Sequence, residues 1–276
     1  MTMKDSSRTT KRPERPERPK TPKTNSPASE GGPVRLHKII AAAGICSLRK
    51  AEELVAEGRV SVNGQVVTEK GAAAWPGSDI IKVDGKPVVK TAAKTYLMMY
   101  KPKGIVTTRS DEMGRKTVMD LLPKEHQSLY PVGRLDLMSE GLLLFTNDGI
   151  FAQAVMAPKH GVERIYMVKA RNKPDQKTMK KMISGITVEG EKLAADSVEV
   201  EEEVGRNCWL KITLSEGRNR HIRKLLETLG LPVLKLKRVA IGQIKLGALK
   251  PGEVIHLPVE EVNKLMKSAG MRKKGK

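Results

Sequence analysis

The stretch that most constrains the chain runs from Pro131 to Gly149, Pro-Val-Gly-Arg-Leu-Asp-Leu-Met-Ser-Glu-Gly-Leu-Leu-Leu-Phe-Thr-Asn-Asp-Gly. A charged Arg134-Leu135-Asp136 step leads directly into the apolar run Leu142 to Phe145. Continuous apolarity over so few residues predicts a strand buried on both faces. Asn147-Asp148-Gly149 then closes it with a turn signal. An acid just ahead of a rigid strand is well placed for chemistry, although an Arg and an Asp two residues apart more often form a surface pair of small energetic value.

The formal net charge is +20, from 51 Lys and Arg against 31 Asp and Glu, which makes a polyanion the first partner to consider. A membrane surface is a weaker candidate, because no apolar run approaches the roughly 20 residues of a spanning helix. The polar N-terminus lacks the apolar core of a signal peptide, so a cytoplasmic protein is expected. Cys46 and Cys208 lie far apart, and there is no CxxC, HExxH or His-rich tract to hold zinc. No GxxxxGK[ST] loop is present, so no nucleotide cofactor is expected. Aromatic residues are 3% of the chain, too few for a sheet that binds RNA by stacking several bases.

Residues 1–33 alternate Arg, Pro and Glu and read as a disordered basic tail. Leu36, Ile39, Ile40 and Ala43 then share one helix face that Gly44 ends, and Ser47 caps a second helix through Ala51, Leu54 and Val55. Short strands follow, with Asn63-Gly64 and Asp84-Gly85 as hairpin turns. Arg35, Lys38, Arg49, Lys50 and Arg59 sit among these apolar positions; a solvated face is their ordinary reading, and a phosphate-binding surface is the functional one. After a linker from Val88 to Thr95, strands are predicted at 96–100, 164–170, 198–204, 208–214, 233–241 and 244–249. Helices are predicted from Phe151, after Asp175, and around Ile222, Leu225 and Leu226. The charged loop 109–116 reads as mobile, and the chain ends in a basic tail over 262–276. Many strands joined by short turns, without βαβ alternation, predict an α+β fold with a largely antiparallel sheet.

Three pieces of the second half carry unusual residues: Arg134 with Asp136, Tyr166 on a strand, and Arg218, Arg220, Arg223 and Lys224 at a helix start, where the helix dipole disfavours positive charge. The residues alone do not join these pieces into one site.

Two resemblances do. Arg35-Leu36-His37-Lys38-Ile39-Ile40, Ala43 to Glu52 and Gly58 to Gly64 resemble an S4 RNA-binding domain, with Leu48 where that family often has arginine. Lys101-Pro102-Lys103-Gly104, Gly133 to Gly149, Tyr166 and Glu216 to Arg223 resemble, in order and spacing, ribosomal RNA pseudouridine synthases of the RsuA/RluB type. Ser139, Glu140, Arg164, His221 and Lys224 depart from that pattern while roughly keeping size or charge. The resemblance implies an ααβ S4 domain over 34–90 and a catalytic domain over 95–258 with a largely antiparallel mixed sheet. It implies isomerisation of a uridine within ribosomal RNA, more of the large-subunit branch, with no cofactor; a monomer is expected by default, since nothing in the sequence suggests an oligomer seam. Asp136, Tyr166 and Arg223 would be catalytic, with Arg223 paired to Asp136. Arg134, Lys101, Arg218 and Arg220 would bind substrate, and Arg35, Lys38, Arg49 and Lys50 would contact RNA. Ribosomal RNA or a ribosome-assembly intermediate would be the partner. A non-catalytic S4-type RNA-binding or ribosome-assembly protein is the alternative, and a DNA-binding regulator would leave the second half without purpose.

Overall fold

The computed structural model describes residues 32–89 and 93–270, so the expected N-terminal tail falls almost wholly outside the described residues. In the N-terminal unit, helix Leu36–Ala42 is followed by helix Leu48–Ala56, whose start is capped by the Ser47 side chain accepting from the Lys50 amide. Strands Gln65–Val66, Val60–Val62, Ile81–Val83 and Lys86–Pro87 form, in that spatial order, an antiparallel sheet. Both expected hairpin turns form, with positive φ at Asn63, Gly64, Asp84 and Gly85, the conformation that Asn-Gly and Asp-Gly pairs adopt readily. Leu36, Ile40, Ala51, Leu54, Val55, Val60, Ile81 and Val83 are buried as its core.

The second unit is built on one nine-stranded sheet. Its strands run in the order Ser197–Val204, Asn207–Leu214, Arg164–Arg171, Val233–Ile241, Glu140–Thr146, Tyr96–Lys101 and Val254–His256. Tyr130–Val132 and Ile244–Lys245 pair alongside this path. Every pairing is antiparallel except one: Val233–Ile241 meets Glu140–Thr146 in parallel, with Arg238 opposite Gly141. The fold is therefore α+β with a mixed, largely antiparallel sheet.

The Glu140–Thr146 strand is apolar from Leu142 to Phe145 because both its faces are covered there. Leu142 and Leu144 pack with Met98, Tyr100, Phe151 and Leu265, while Leu143 and Phe145 pack with Leu97, Met99, Val118 and Leu129. Gly141 is required at the parallel joint. A Cβ there would lie 2.2 Å from the Arg238 carbonyl oxygen, closer than atoms can approach. A third core surrounds Tyr166, Val168, Leu210 and Ile212, closed by helices Gln176–Ser184 and His221–Thr228.

One expectation needs correction. The basic tail expected over 262–276 begins inside a helix, Val259–Ser268, with Val262, Leu265 and Ala269 buried in the core beside Leu142, and residues 271–276 lie outside the described residues. Its apolar residues recur at helical spacing, and burying them outweighs the charge of Lys264 and Lys267 on the other side. The loop 109–116 carries an internal ion pair: both Asp111 carboxylate oxygens accept from the Arg115 guanidinium at 2.7 and 3.0 Å, and Asp111 also accepts from the Arg115 amide.

Candidate active site

Between Tyr130–Val132 and Glu140–Thr146 the chain makes a tight turn over Asp136–Ser139, closed by the Ser139 amide donating to the Asp136 carbonyl at 3.0 Å. The carbonyls of five successive residues in this segment are all held by donors from elsewhere in the unit. Thr107 Oγ1 donates to Leu135 O at 2.8 Å and accepts from Leu135 N at 3.3 Å. Lys101 Nζ donates to Asp136 O at 3.2 Å and to Ser139 O at 2.8 Å. The Gly104 amide donates to Leu137 O at 2.8 Å, and Arg223 Nη2 donates to Met138 O at 2.9 Å. Such complete anchoring fixes the backbone that carries the Asp136 carboxylate.

Lys101 is fully buried at the end of its strand, with Pro102 O as its third acceptor at 3.0 Å. Burial pushes its pKa down to about 8, and the nearby Asp136 and Glu140 limit that fall. This corrects the expectation that Lys101 binds RNA: it lies beneath the acid, out of reach of any ligand, and organises the turn. Arg223 is also buried, and among the described residues no ion pair joins it to Asp136 within 4.0 Å. The expected carboxylate pairing is replaced by a bond to the backbone two residues on. Burial and the neighbouring Arg220 lower the Arg223 pKa, while Asp136 opposes that shift, so the two charges still sense each other.

Above the turn lies a cleft of about 420 Å³. Asp136, Arg134, Tyr166, Arg218 and Arg220 all line it, so the structure brings together the three sequence segments that spacing alone could not join. Tyr166 is buried on the central Arg164–Arg171 strand, opposite Ile212 on one side and Arg238 on the other. Arg134, Arg218 and Arg220 are exposed, and Arg220 occupies a left-handed backbone conformation (φ 52°) just before the helix His221–Thr228. Left-handed backbone at a bulky residue costs on the order of 1–3 kcal/mol and persists where the surroundings impose it. Arg35, Lys38, Arg49 and Lys50 belong to the N-terminal unit and line no part of the cleft. Of these, Lys50 is paired with Glu53 at 2.9 Å, whereas Arg35, Lys38 and Arg49 have no ion pair among the described residues.

Four further residues contribute that the sequence reading did not assign. Arg238 is buried in the cleft wall and donates from Nε to Leu142 O at 2.8 Å. Its signal was alternation: Leu236, Arg238 and Ala240 point the same way on one strand, so an arginine stood at an inward position. Arg164 donates to the carbonyls of Val162, Val155 and Ser215, and burial lowers its pKa. His221 lines the cleft with both ring nitrogens buried, and burial lowers its pKa, which favours the neutral ring, while the nearby Glu216 and the Ala194 backbone oppose that shift. Thr107 gave no signal at all.

Comparison with known proteins identifies two family matches along the chain. The family model for RNA pseudouridylate synthase matches residues 95–228, and that for the S4 domain matches residues 34–72. An uncharacterised RNA pseudouridine synthase of Aquifex aeolicus is 42% identical over 241 residues, covering 87% of this chain and 96% of the relative. The ribosomal large subunit pseudouridine synthase B of Bacillus subtilis is 40% identical over 233 residues, covering 84% of this chain and 95% of the relative. A crystal structure of a pseudouridylate synthase superposes with a TM-score of 0.59 at 28% identity, covering 84% of this chain and 99% of that one. With the family model over residues 95–228 and relatives at 40% identity or more over most of both chains, the chain belongs to the RNA pseudouridine synthase family.

Proposed function

We propose that this protein converts a specific uridine of large-subunit ribosomal RNA to pseudouridine, with Asp136 as the catalytic group. The large-subunit assignment is supported by the names of the relatives from Bacillus subtilis and from Haemophilus influenzae, the latter 37% identical over 253 residues. The observation that carries the catalytic assignment is the Asp136 turn, which presents one carboxylate to a nucleotide-sized cleft from a backbone held at five successive carbonyls.

In this reaction the N1–C1′ bond of uridine breaks, the uracil turns, and a C5–C1′ bond forms while the C5 proton leaves and N1 gains one. No atom is imported and no electron is transferred overall, so the chemistry calls for no cofactor. A carboxylate at C1′ serves two routes, attack on that carbon or assistance in loss of the C2′ proton, and both require it ionised and fixed. Tyr166 forms the wall against which the uracil packs and is placed for proton transfer. Arg134, Arg218 and Arg220 hold phosphates of the displaced nucleotide, and Arg223 acts from below as a positioning residue. Residues 34–90 serve as the RNA-binding unit, with Arg35, Lys38, Arg49 and Lys50 facing phosphates, and the catalytic unit runs from 95 through the helix that ends at Ser268. The protein works as a cytoplasmic monomer on ribosomal RNA or an assembly intermediate. Among the described residues no helix is long and apolar enough to cross a membrane.

Unmodified large-subunit transcript incubated with the protein and mapped chemically for pseudouridine tests this reading. One modified position is expected with the wild type and none with Asp136→Asn. Turnover by Asp136→Asn would remove the catalytic assignment, and modification confined to small-subunit RNA would overturn the choice of substrate.

A further inference from the structure

We propose that Trp75, in the N-terminal unit, is a stacking platform for one unpaired base of the RNA. The proposal deepens the reading of residues 34–90 as an RNA-binding unit and rests on it. Among the chain's two Trp, four Tyr and two Phe, Trp75 alone is exposed, at 44%. The large apolar area of such side chains ordinarily drives them inward. Exposed apolar residues are nonetheless common on any protein surface, so exposure alone means little. What sets Trp75 apart is how its backbone is held.

Trp75-Pro76-Gly77-Ser78 forms a turn with Pro at its second position and positive φ at Gly77, closed by the Ser78 amide donating to Trp75 O at 3.2 Å. The proline also confines Trp75 to extended backbone. The Asp79 amide donates to the same carbonyl at 2.9 Å, and the Trp75 amide donates to Asp79 Oδ2 at 2.7 Å. Asp79 Oδ1 accepts from Asn63 Nδ2 at 2.9 Å, and Asn63 Oδ1 accepts from the Ile80 amide at 2.9 Å. Both backbone polar groups of Trp75 are therefore engaged, and the turn is tied to the neighbouring Asn63-Gly64 hairpin. The indole itself stays outside the core built on Leu36, Ile40 and Ala74. Trp209 has the Lys169 ammonium 5.9 Å over its ring, whereas among the described residues no aromatic or cationic group lies over the ring of Trp75.

The surroundings select the occupant. Strand Val34–Arg35 pairs antiparallel with Ala73–Ala74, and Arg35 stands opposite Ala73. Side chains alternate along a strand and Ala74 is buried, so Arg35, Ala73 and Trp75 share the outward face. The Arg35 guanidinium reaches the other way along this face, 3.7 Å from where a Cβ on Gly71 would lie, and has no ion pair among the described residues. A free aromatic face and a free cation on one surface match the two halves of a nucleotide: the base stacks on the indole and a neighbouring phosphate meets the guanidinium. One ring takes one base, which accords with a chain too poor in aromatic residues to stack several.

The test uses full-length Trp209→Phe, which leaves Trp75 as the single indole. Its emission is followed as a fragment of the large-subunit transcript carrying the modified uridine is added, and again with a fully paired RNA duplex of equal length. A stacked base quenches indole emission, so quenching is expected at saturation with the fragment and not with the duplex. Trp75→Leu is expected to weaken binding of the fragment by about tenfold or more. The salt slope should stay unchanged, because stacking releases no counterions. Trp75→Phe keeps an aromatic face and should regain most of the affinity. Unchanged emission at saturation would overturn the platform, as would equal quenching by the duplex or wild-type affinity in Trp75→Leu. Affinity and salt slope lost together, and not regained by Trp75→Phe, would show a displaced Arg35 and would overturn it too. Quenching and the tenfold loss, from a protein that forms no pseudouridine, would support the platform while overturning the isomerase reading.

Discussion

The two units use positive charge in opposite ways. In the N-terminal unit Arg35, Lys38 and Arg49 are largely in water and carry no ion pair among the described residues. In the catalytic unit Lys101, Arg223 and Arg238 are buried, and the bonds they make go to backbone carbonyls rather than to carboxylates. Identical residue types thus do different work. Exposed cations attract a polyanion by releasing its counterions, an effect that salt erodes. Buried cations turn the hydrogen bonds they make into the fold, although Arg223 Nε and Arg238 Nη2 find no partner there, and their contribution is the position of the acid.

If this division holds, Lys101→Met produces the largest effect of the set. Three carbonyls lose the ammonium, although the Asp136 carbonyl keeps the Ser139 amide, so thermal unfolding should show a loss of about 2–4 kcal/mol, and turnover should fall by about a thousandfold or more as the Asp136 turn loosens. Lys101→Met with near-normal turnover would break the comparison. Arg223→Met frees one carbonyl, and a fall of about a hundredfold in kcat with little change in KM is expected. A change in KM alone would show that Arg223 binds RNA directly.

The pH dependence sharpens the same point. An ammonium has three donors for the three Lys101 acceptors, and a neutral amine has two. Activity should therefore decline as pH rises through about 8. Stability should move the other way. The folded pKa of Lys101 lies below its ordinary 10.5, so the unfolded chain binds more protons between those values, and this group's contribution to stability grows as pH rises from about 8 to 10.5. Denaturation midpoints measured beside the rate profile separate the two effects, and a parallel loss of both would contradict the assignment. The smallest effect belongs to the exposed cations. Arg35→Ala, Lys38→Ala and Arg49→Ala should each weaken RNA binding a few-fold, reduce the salt slope by about 1 and leave the melting temperature and saturated rate unchanged. An unaltered slope in the triple variant would remove the RNA-binding role.

The parts of this architecture visible in the sequence were those encoded locally. Periodicity at Leu36, Ile39 and Ile40 and the Asn63-Gly64 and Asp84-Gly85 turns marked the first unit. The apolar run Leu142 to Phe145 marked the support of Asp136. Partners across long separations were not visible. Lys101, beside Pro102 and Gly104, has the look of a turn residue in water, and only the folded sheet carries Asp136 and Ser139 over its amine. The bond from Arg223 spans 85 residues to Met138, and nothing near either residue announces it. The terminal helix was a different case: Val259, Val262, Leu265 and Ala269 carried a helical rhythm that the surrounding lysines masked.

The close approach of Gly141 to Arg238 bears on how such a chain can change its target. The sheet is joined in parallel only there, and the cleft lies across that joint. Any side chain at 141 would push the two strands apart, so the seam leaves no room for variation. The exposed arginines of the first unit bear no comparable constraint. New RNA preferences can therefore be tried at the periphery, residue by residue, without disturbing the seam on which the chemistry is built.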